Sequence, residues 1–205
     1  MAGAERVAGL AECRERVTTL YQVDEGVGLH VTLFSPVNDC GNDPVILVGG
    51  LATVYDTLHE FTTELSVDTP MYYVETREKG GSVIEGKVDY DVPSMAADTA
   101  KITGMLGLKG EHYVMAGYSL GATILADGYR FLKEKPRCMV LMEPTPVFHY
   151  PKWSIPLIRW FGFPLYSILK PVAKWYLTTF RIKRMEDPEM AVITFRAIDH
   201  ADPRK

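Results

Sequence analysis

Four short runs along the chain are apolar almost throughout: "VILV" (45–48), "MYYVE" (71–75), "HYVMAG" (112–117) and "CMVLMEP" (138–144). Each is too short for a core helix and is bounded by Gly, Pro or charged residues, so each is predicted to be a strand buried on both faces. Ahead of them, "VTTLYQVDEGVGLHVTLFS" (17–35) alternates β-branched and aromatic residues with others on both sides of "DEG", which predicts a hairpin. "NDCGNDP" (38–44) is loop chemistry.

The stretches between the apolar runs change period. From Pro93 to Leu106, Met95, Ile102, Met105 and Leu106 are read as one helical face, closed by Gly107 and Gly110. From Leu120 to about Lys133, Gly121, Ile124, Leu125, Gly128 and Leu132 form a stripe, and Pro136 ends it. Buried strands alternating with helices predict an α/β fold, a mostly parallel sheet with flanking helices. In such a sheet function gathers in the loops after the carboxyl ends of the strands. Here those loops are "GGLAT", "ETREKGGS", "GYSLG" and "EPTPVFH".

The pattern breaks after residue 146. Residues 147–184 hold all three tryptophans (Trp153, Trp160, Trp175) and seven basic residues, with no Asp or Glu. Pro156, Pro164 and Pro171 cut the segment into short helical pieces. The expected organisation is a core at 1–146 and a helical, aromatic, basic cap at 147–205, with the last core strands lying outside the sequence. The cap's local charge of about +7 stands in a chain of net charge −4. It reads as a lid over a pocket, or as a contact with lipid, since tryptophan and basic residues favour the membrane interface and anionic headgroups.

Composition adds mainly exclusions. With 205 residues, 47% hydrophobic and 23% charged, the chain is neither disordered nor fibrous and can bury a core. The negative net charge argues against nucleic acid as a general partner. Cys13, Cys40 and Cys138 form no CxxC pair, so they are read as thiols rather than a zinc site or a disulfide framework. No apolar leader precedes residue 17 and no run of about 18 apolar residues occurs, so a cytoplasmic location is expected, with peripheral membrane contact through 147–184.

The candidate chemistry lies in "HYVMAGYSLGATILADG", where Ser119 stands between Gly117 and Gly121 at a strand-to-helix joint. A strand, a sharp turn and a helix together lift a serine above a sheet and aim helix amides at it. Without that context the same residues would be a turn with a serine N-cap. Attack on a carbonyl also needs oxyanion donors. Leu120 N–H would be one. Leu51 N–H would be the other, with Gly49 and Gly50 letting the backbone come close.

The stretch from about 17 to 146 resembles the α/β-hydrolase superfamily: the hairpin, "VILVGG", "YYVETREKGGS", "DTAKITGMLGLKG", "HYVMAGYSLGATILADG" and "CMVLMEP" follow that order. The family commonly has His-Gly where this chain has Gly49-Gly50, and "TREKGGS" matches its R-G-x-G-x-S stretch only loosely. The resemblance implies a serine hydrolase, with no cofactor and no metal, acting on a carboxylic ester or thioester of an apolar, lipid-like substrate through an acyl-enzyme. Gly50, Tyr118, Trp153 and Trp160 would line the substrate site. It also implies an acid and then a histidine later in the chain. Two explanations stand for these partners. They lie beyond "AIDHADPRK", or Glu143 is the acid and His149 the base. His30, His59, His112 and the "DHAD" cluster (199–202) fit those roles less well. Other readings are C–C bond hydrolysis or acyl transfer on the same fold, or a non-catalytic protein that binds lipid surfaces through the cap.

Overall fold

The computed structural model describes residues 15–51, 53 and 58–144, and positions 171, 172 and 175. Its elements are β1 (Glu15–Asp24), β2 (Val27–Ser35), β3 (Val45–Val48), α1 (His59–Ser66), β4 (Met71–Val74), β5 (Val83–Ile84), α2 (Val92–Met105), β6 (Val114–Tyr118), α3 (Leu120–Gly128) and β7 (Cys138–Met142).

The sheet runs β1-β2-β4-β3-β6-β7, with the two-residue β5 pairing to β2 beside this path. The hairpin β1–β2 joins antiparallel, and β4, β3, β6 and β7 run parallel. Gly26 turns the hairpin at φ 70°, and a register shift between Gln22 and Asp24 bends its entry.

Strand alternation splits the core into two layers. On one face Ile46, Val48, Val74 and Met115 meet Ile102 of α2 and Leu125 of α3. On the other, Val45, Leu47, Met71, Tyr73 and Ala116 meet Leu58 and Leu65 around α1. Both sets are apolar, so the central strands show no polar alternation. Met95 and Ala96 of α2 pack on Ile124 of α3. All five residues of the predicted α3 stripe are buried, although the α-helix ends at Gly128 and a 3-10 turn over Tyr129–Phe131 carries the chain to Leu132.

Several expectations need correction. Met105 is 51% exposed. At 3.6 residues per turn it does not share a face with Met95 and Ile102. The buried face of α2 instead combines Met95, Ala96 and Ile102 with Asp98, Thr99 and Thr103. Thr99 and Thr103 turn their hydroxyls back to the Met95 and Thr99 carbonyls, which lets them sit inside. "CMVLM" is a strand as expected but is not buried: Val140 is 47% and Leu141 37% exposed. It is an edge strand of the sheet among the described residues, as β1 is at the other side, so it has one strand neighbour where β3 and β6 have two. α1 and β5 were not foreseen. "HEFTTELS" carries few apolar residues, and two residues are too few to show a period.

Cys40 and Cys138 are exposed free thiols; Cys13 lies outside the described residues. Pro171, Val172 and Trp175 are helical and exposed. The rest of 145–205, including the proposed cap boundary, also lies outside them. No helix among the described residues is long and apolar enough to cross a membrane.

Candidate active site

The carboxyl ends of β3, β4, β6 and β7 converge on one edge of the sheet, and Ser119 stands there. It follows β6 directly and precedes the first residue of α3. Its backbone has φ 53° and ψ −117°, and its side chain makes no helix-capping hydrogen bond. A left-handed φ is uncommon for a residue with a Cβ. Ser119 occupies the N-cap position of α3 but does not cap it through its side chain, and its backbone is not the extended one usual for a serine cap.

The surrounding glycines permit this turn through close approach. A Cβ on Gly117 would lie 2.7 Å from the Ala122 amide nitrogen and Cα. A Cβ on Gly121 would overlap the Val48 carbonyl. The first turn of α3 therefore rests directly on the end of β3. The Ser119 carbonyl accepts from the Thr123 amide at 3.2 Å, and the Ser119 amide donates to the Met142 carbonyl at 2.9 Å.

Gly50 follows β3 and comes close to the serine. A Cβ there would sit 3.1 Å from the Ser119 Cβ. Leu51 has its side chain outward, at 68% exposure. Leu120 opens α3, so its amide has no acceptor within the helix, and its side chain packs against Met95, Ala96 and Ile124. Tyr118 is half-buried and pairs with Met142 across β6 and β7.

Glu143 lies one residue beyond β7, exposed, with φ 53°. It stands at the strand end adjoining Ser119. His149, Trp153 and Trp160 lie outside the described residues, as does "DHAD". His59 is the first residue of α1. His30 lies in β2. His112 lies at the opposite edge of the sheet, 3.7 Å from Asp43. No group of three metal-ligating side chains occurs among the described residues.

The loop after β4 holds features that sequence reasoning passed over. Arg77 is buried and donates to both carboxylate oxygens of Asp98 on α2, at 2.5 and 2.9 Å, and to the Asp89 carbonyl at 2.8 Å. The Asp98 hydrogen bond raises the Arg77 pKa further above its ordinary value. Lys79 is 3% exposed. Its ammonium donates to the Gly50 carbonyl and lies 3.2 Å from the Glu78 carboxylate. Burial lowers its pKa, and the Glu78 charge opposes that shift. The Thr53 amide also donates to the Gly50 carbonyl, at 3.0 Å, while Tyr73 Oη holds the Thr53 carbonyl at 2.7 Å. The sequence signal was the "REK" triplet: three charges directly after a buried strand must be solvated or paired.

Comparison with solved structures identifies the fold. A hydrolase from Pseudomonas aeruginosa PA01 matches with a TM-score of 0.64 at 15% identity, over 90% of this chain and 67% of that one. A protein of Acinetobacter baumannii AYE provisionally called a lipase matches at 0.62 and 16%, over 91% and 61%. A Pseudomonas aeruginosa protein provisionally called an epoxide hydrolase matches at 0.58 and 17%, over 97% and 72%. This chain spans about three fifths of the length of the Acinetobacter protein. No protein-family profile and no curated sequence matches it. The architecture is that of the α/β hydrolases: a mixed sheet, mostly parallel, with helices on both faces.

Proposed function

We propose that the protein is a serine hydrolase that cleaves a carboxylic ester or thioester through an acyl-enzyme, with Ser119 as nucleophile. The observation that carries this reading is the left-handed backbone of Ser119 at a strand-to-helix joint. Such strain persists where the surrounding structure over-determines it, and it concentrates at functional residues. The Leu120 amide at the start of α3 and the Leu51 amide beside Gly50 would stabilise the tetrahedral oxyanion. Gly50 and Tyr118 would line the acyl pocket, and Trp153 and Trp160, which lie outside the described residues, are further candidates to line it.

The nucleophile's chemistry favours an acyl substrate over an epoxide. A serine that opened an epoxide would leave an alkyl ether, which water does not cleave. A serine that attacks an acyl carbon leaves an ester, which water does cleave. Glu143 is the proposed acid, on the strength of its strand-end position beside the serine's own strand. His149 is the base proposed from chain order. The basic, tryptophan-bearing 147–184 segment favours an apolar, lipid-like substrate and contact with anionic membrane surfaces. Salt-insensitive or absent sedimentation with anionic vesicles would remove that contact from the proposal.

The decisive experiment is labelling of the intact gene product with a fluorophosphonate, followed by peptide mapping. Ser119 should carry the label, and Ser119→Ala should lose ester hydrolysis. An unlabelled Ser119 together with full activity in Ser119→Ala would refute the assignment.

A further inference from the structure

A buried lysine asks for an explanation. Removing an ammonium from water is costly unless it is paired and hydrogen-bonded, and an apolar side chain would fill the same space under the sheet edge. Lys79 spends its charge on one backbone atom of interest, the Gly50 carbonyl. That carbonyl belongs to the same peptide unit as the Leu51 N–H. No cis peptide occurs among the described residues, and in a trans peptide the C=O and N–H point in opposite directions. Whatever pins the carbonyl therefore aims the amide.

Three contacts set this peptide. Lys79 and the Thr53 amide hold the Gly50 oxygen from one side. Ser119 packs against Gly50 itself. Glu78 fixes the ammonium, and Thr76 Oγ1 in turn donates to the same Glu78 oxygen at 2.6 Å. A cation on a peptide oxygen also draws electron density toward that oxygen, which makes the N–H of the unit a stronger donor.

We infer that Lys79 is a positioning residue for the oxyanion hole: bound to the Gly50 carbonyl, it turns and polarises the Gly50–Leu51 peptide so that the Leu51 amide serves the developing oxyanion. This rests on Ser119 being the nucleophile. The lysine touches no substrate, and it forms no bond in the reaction.

The test uses the intact gene product as wild type, Lys79→Met and Lys79→Gln, each checked for folding by circular dichroism. Hydrolysis of p-nitrophenyl butanoate gives kcat and KM. Inhibition by an alkyl boronic acid reports the oxyanion hole, because its tetrahedral serine adduct carries an oxygen at the oxyanion position. Fluorophosphonate labelling reports the serine. Lys79→Met should lower kcat by about tenfold to a hundredfold, the range expected for misplacing one donor. KM should stay within about twofold, and boronate affinity should fall by the same factor as kcat. Lys79→Gln, which can still donate, should recover part of both. Should the Met variant not fold, the Gln variant against wild type carries the same comparison. Unchanged kcat, or reduced kcat with undiminished boronate affinity, overturns the role of Lys79 while leaving a labelled Ser119 intact. Failure of the wild type to label overturns the nucleophile assignment and this inference together.

Discussion

Ser119 and Glu143 are the two non-glycine residues with positive φ among the described residues, both at 53°, and the Ser119 amide binds the carbonyl of Met142 just before Glu143. Two neighbouring parallel strands thus each end in a residue of positive φ and are tied together there. Both residues lie at the carboxyl edge of the sheet.

That strain makes a measurable separation between stability and activity. Ser119→Gly should raise stability by about 1 kcal/mol, because glycine adopts the left-handed turn freely. The melting temperature should rise by roughly 2–4 °C, while ester hydrolysis is lost. Ser119→Ala should lose the activity without the thermal gain. A melting point for Ser119→Gly equal to that of Ser119→Ala would remove the strain from the account.

Gly121→Ala should be among the most damaging single changes. The added methyl would overlap the Val48 carbonyl, and a main-chain atom cannot move aside as a side chain can. A loss of about 2–4 kcal/mol in urea unfolding is expected, in the range of severe overpacking. Labelling of Ser119 should fall with it, since α3 must back away from β3.

The Arg77–Asp98 pair gives a third test. Both side chains are buried, at 5% and 1% exposure, so removing Asp98 takes away the closest partner of the buried Arg77 guanidinium and leaves it Asp24 at 3.6 Å and the Asp89 carbonyl. Asp98→Ala should cost about 3–5 kcal/mol in chemical denaturation. The double change of Arg77→Met with Asp98→Leu should cost much less than either single change, as expected for an ion pair whose removal in full relieves its own desolvation.

Tyr113 should set part of the alkaline limit of stability. It is fully buried and donates to the Glu134 carbonyl at 2.6 Å. Burial, aided by the Glu134 charge, pushes its phenol from the ordinary 10.0 up to about 12. The folded state therefore holds its proton longer than the unfolded one. Its contribution is complete below pH of about 10 and is lost as pH rises toward about 12. Denaturation across this window, compared with Tyr113→Phe, should show a steeper alkaline decline in the wild type.

The sequence announced the parts of this protein whose composition is their structure. "VILV" is a strand at its predicted bounds because four apolar β-formers cannot do much else between Pro44 and Gly49. The "GYSLG" turn and the buried stripe of α3 followed from glycine spacing and helical period. α1 escaped because it buries a threonine, Thr62, and carries little apolar period, and β7 was expected inside because an apolar strand does not declare how many neighbours it has. Lys79 escaped for a different reason. A lysine in a loop reads as solvated, and only the backbone's course reveals that a carbonyl lies where its ammonium can reach. The positions of Glu143 and Ser119 were legible; their shared positive φ was not.

The loop from Glu75 to Ser82 has a consequence for how activity fails on heating. Arg77 ties it to α2, and Lys79 ties it to the peptide at Gly50. Loosening α2 frees Arg77, and the loop then no longer presents Lys79. If Lys79 positions the Gly50–Leu51 peptide as proposed, undocking of α2 should lower ester hydrolysis at the same temperature at which α2 loosens. A helix packed on one face of the sheet would thereby set the temperature at which the site fails.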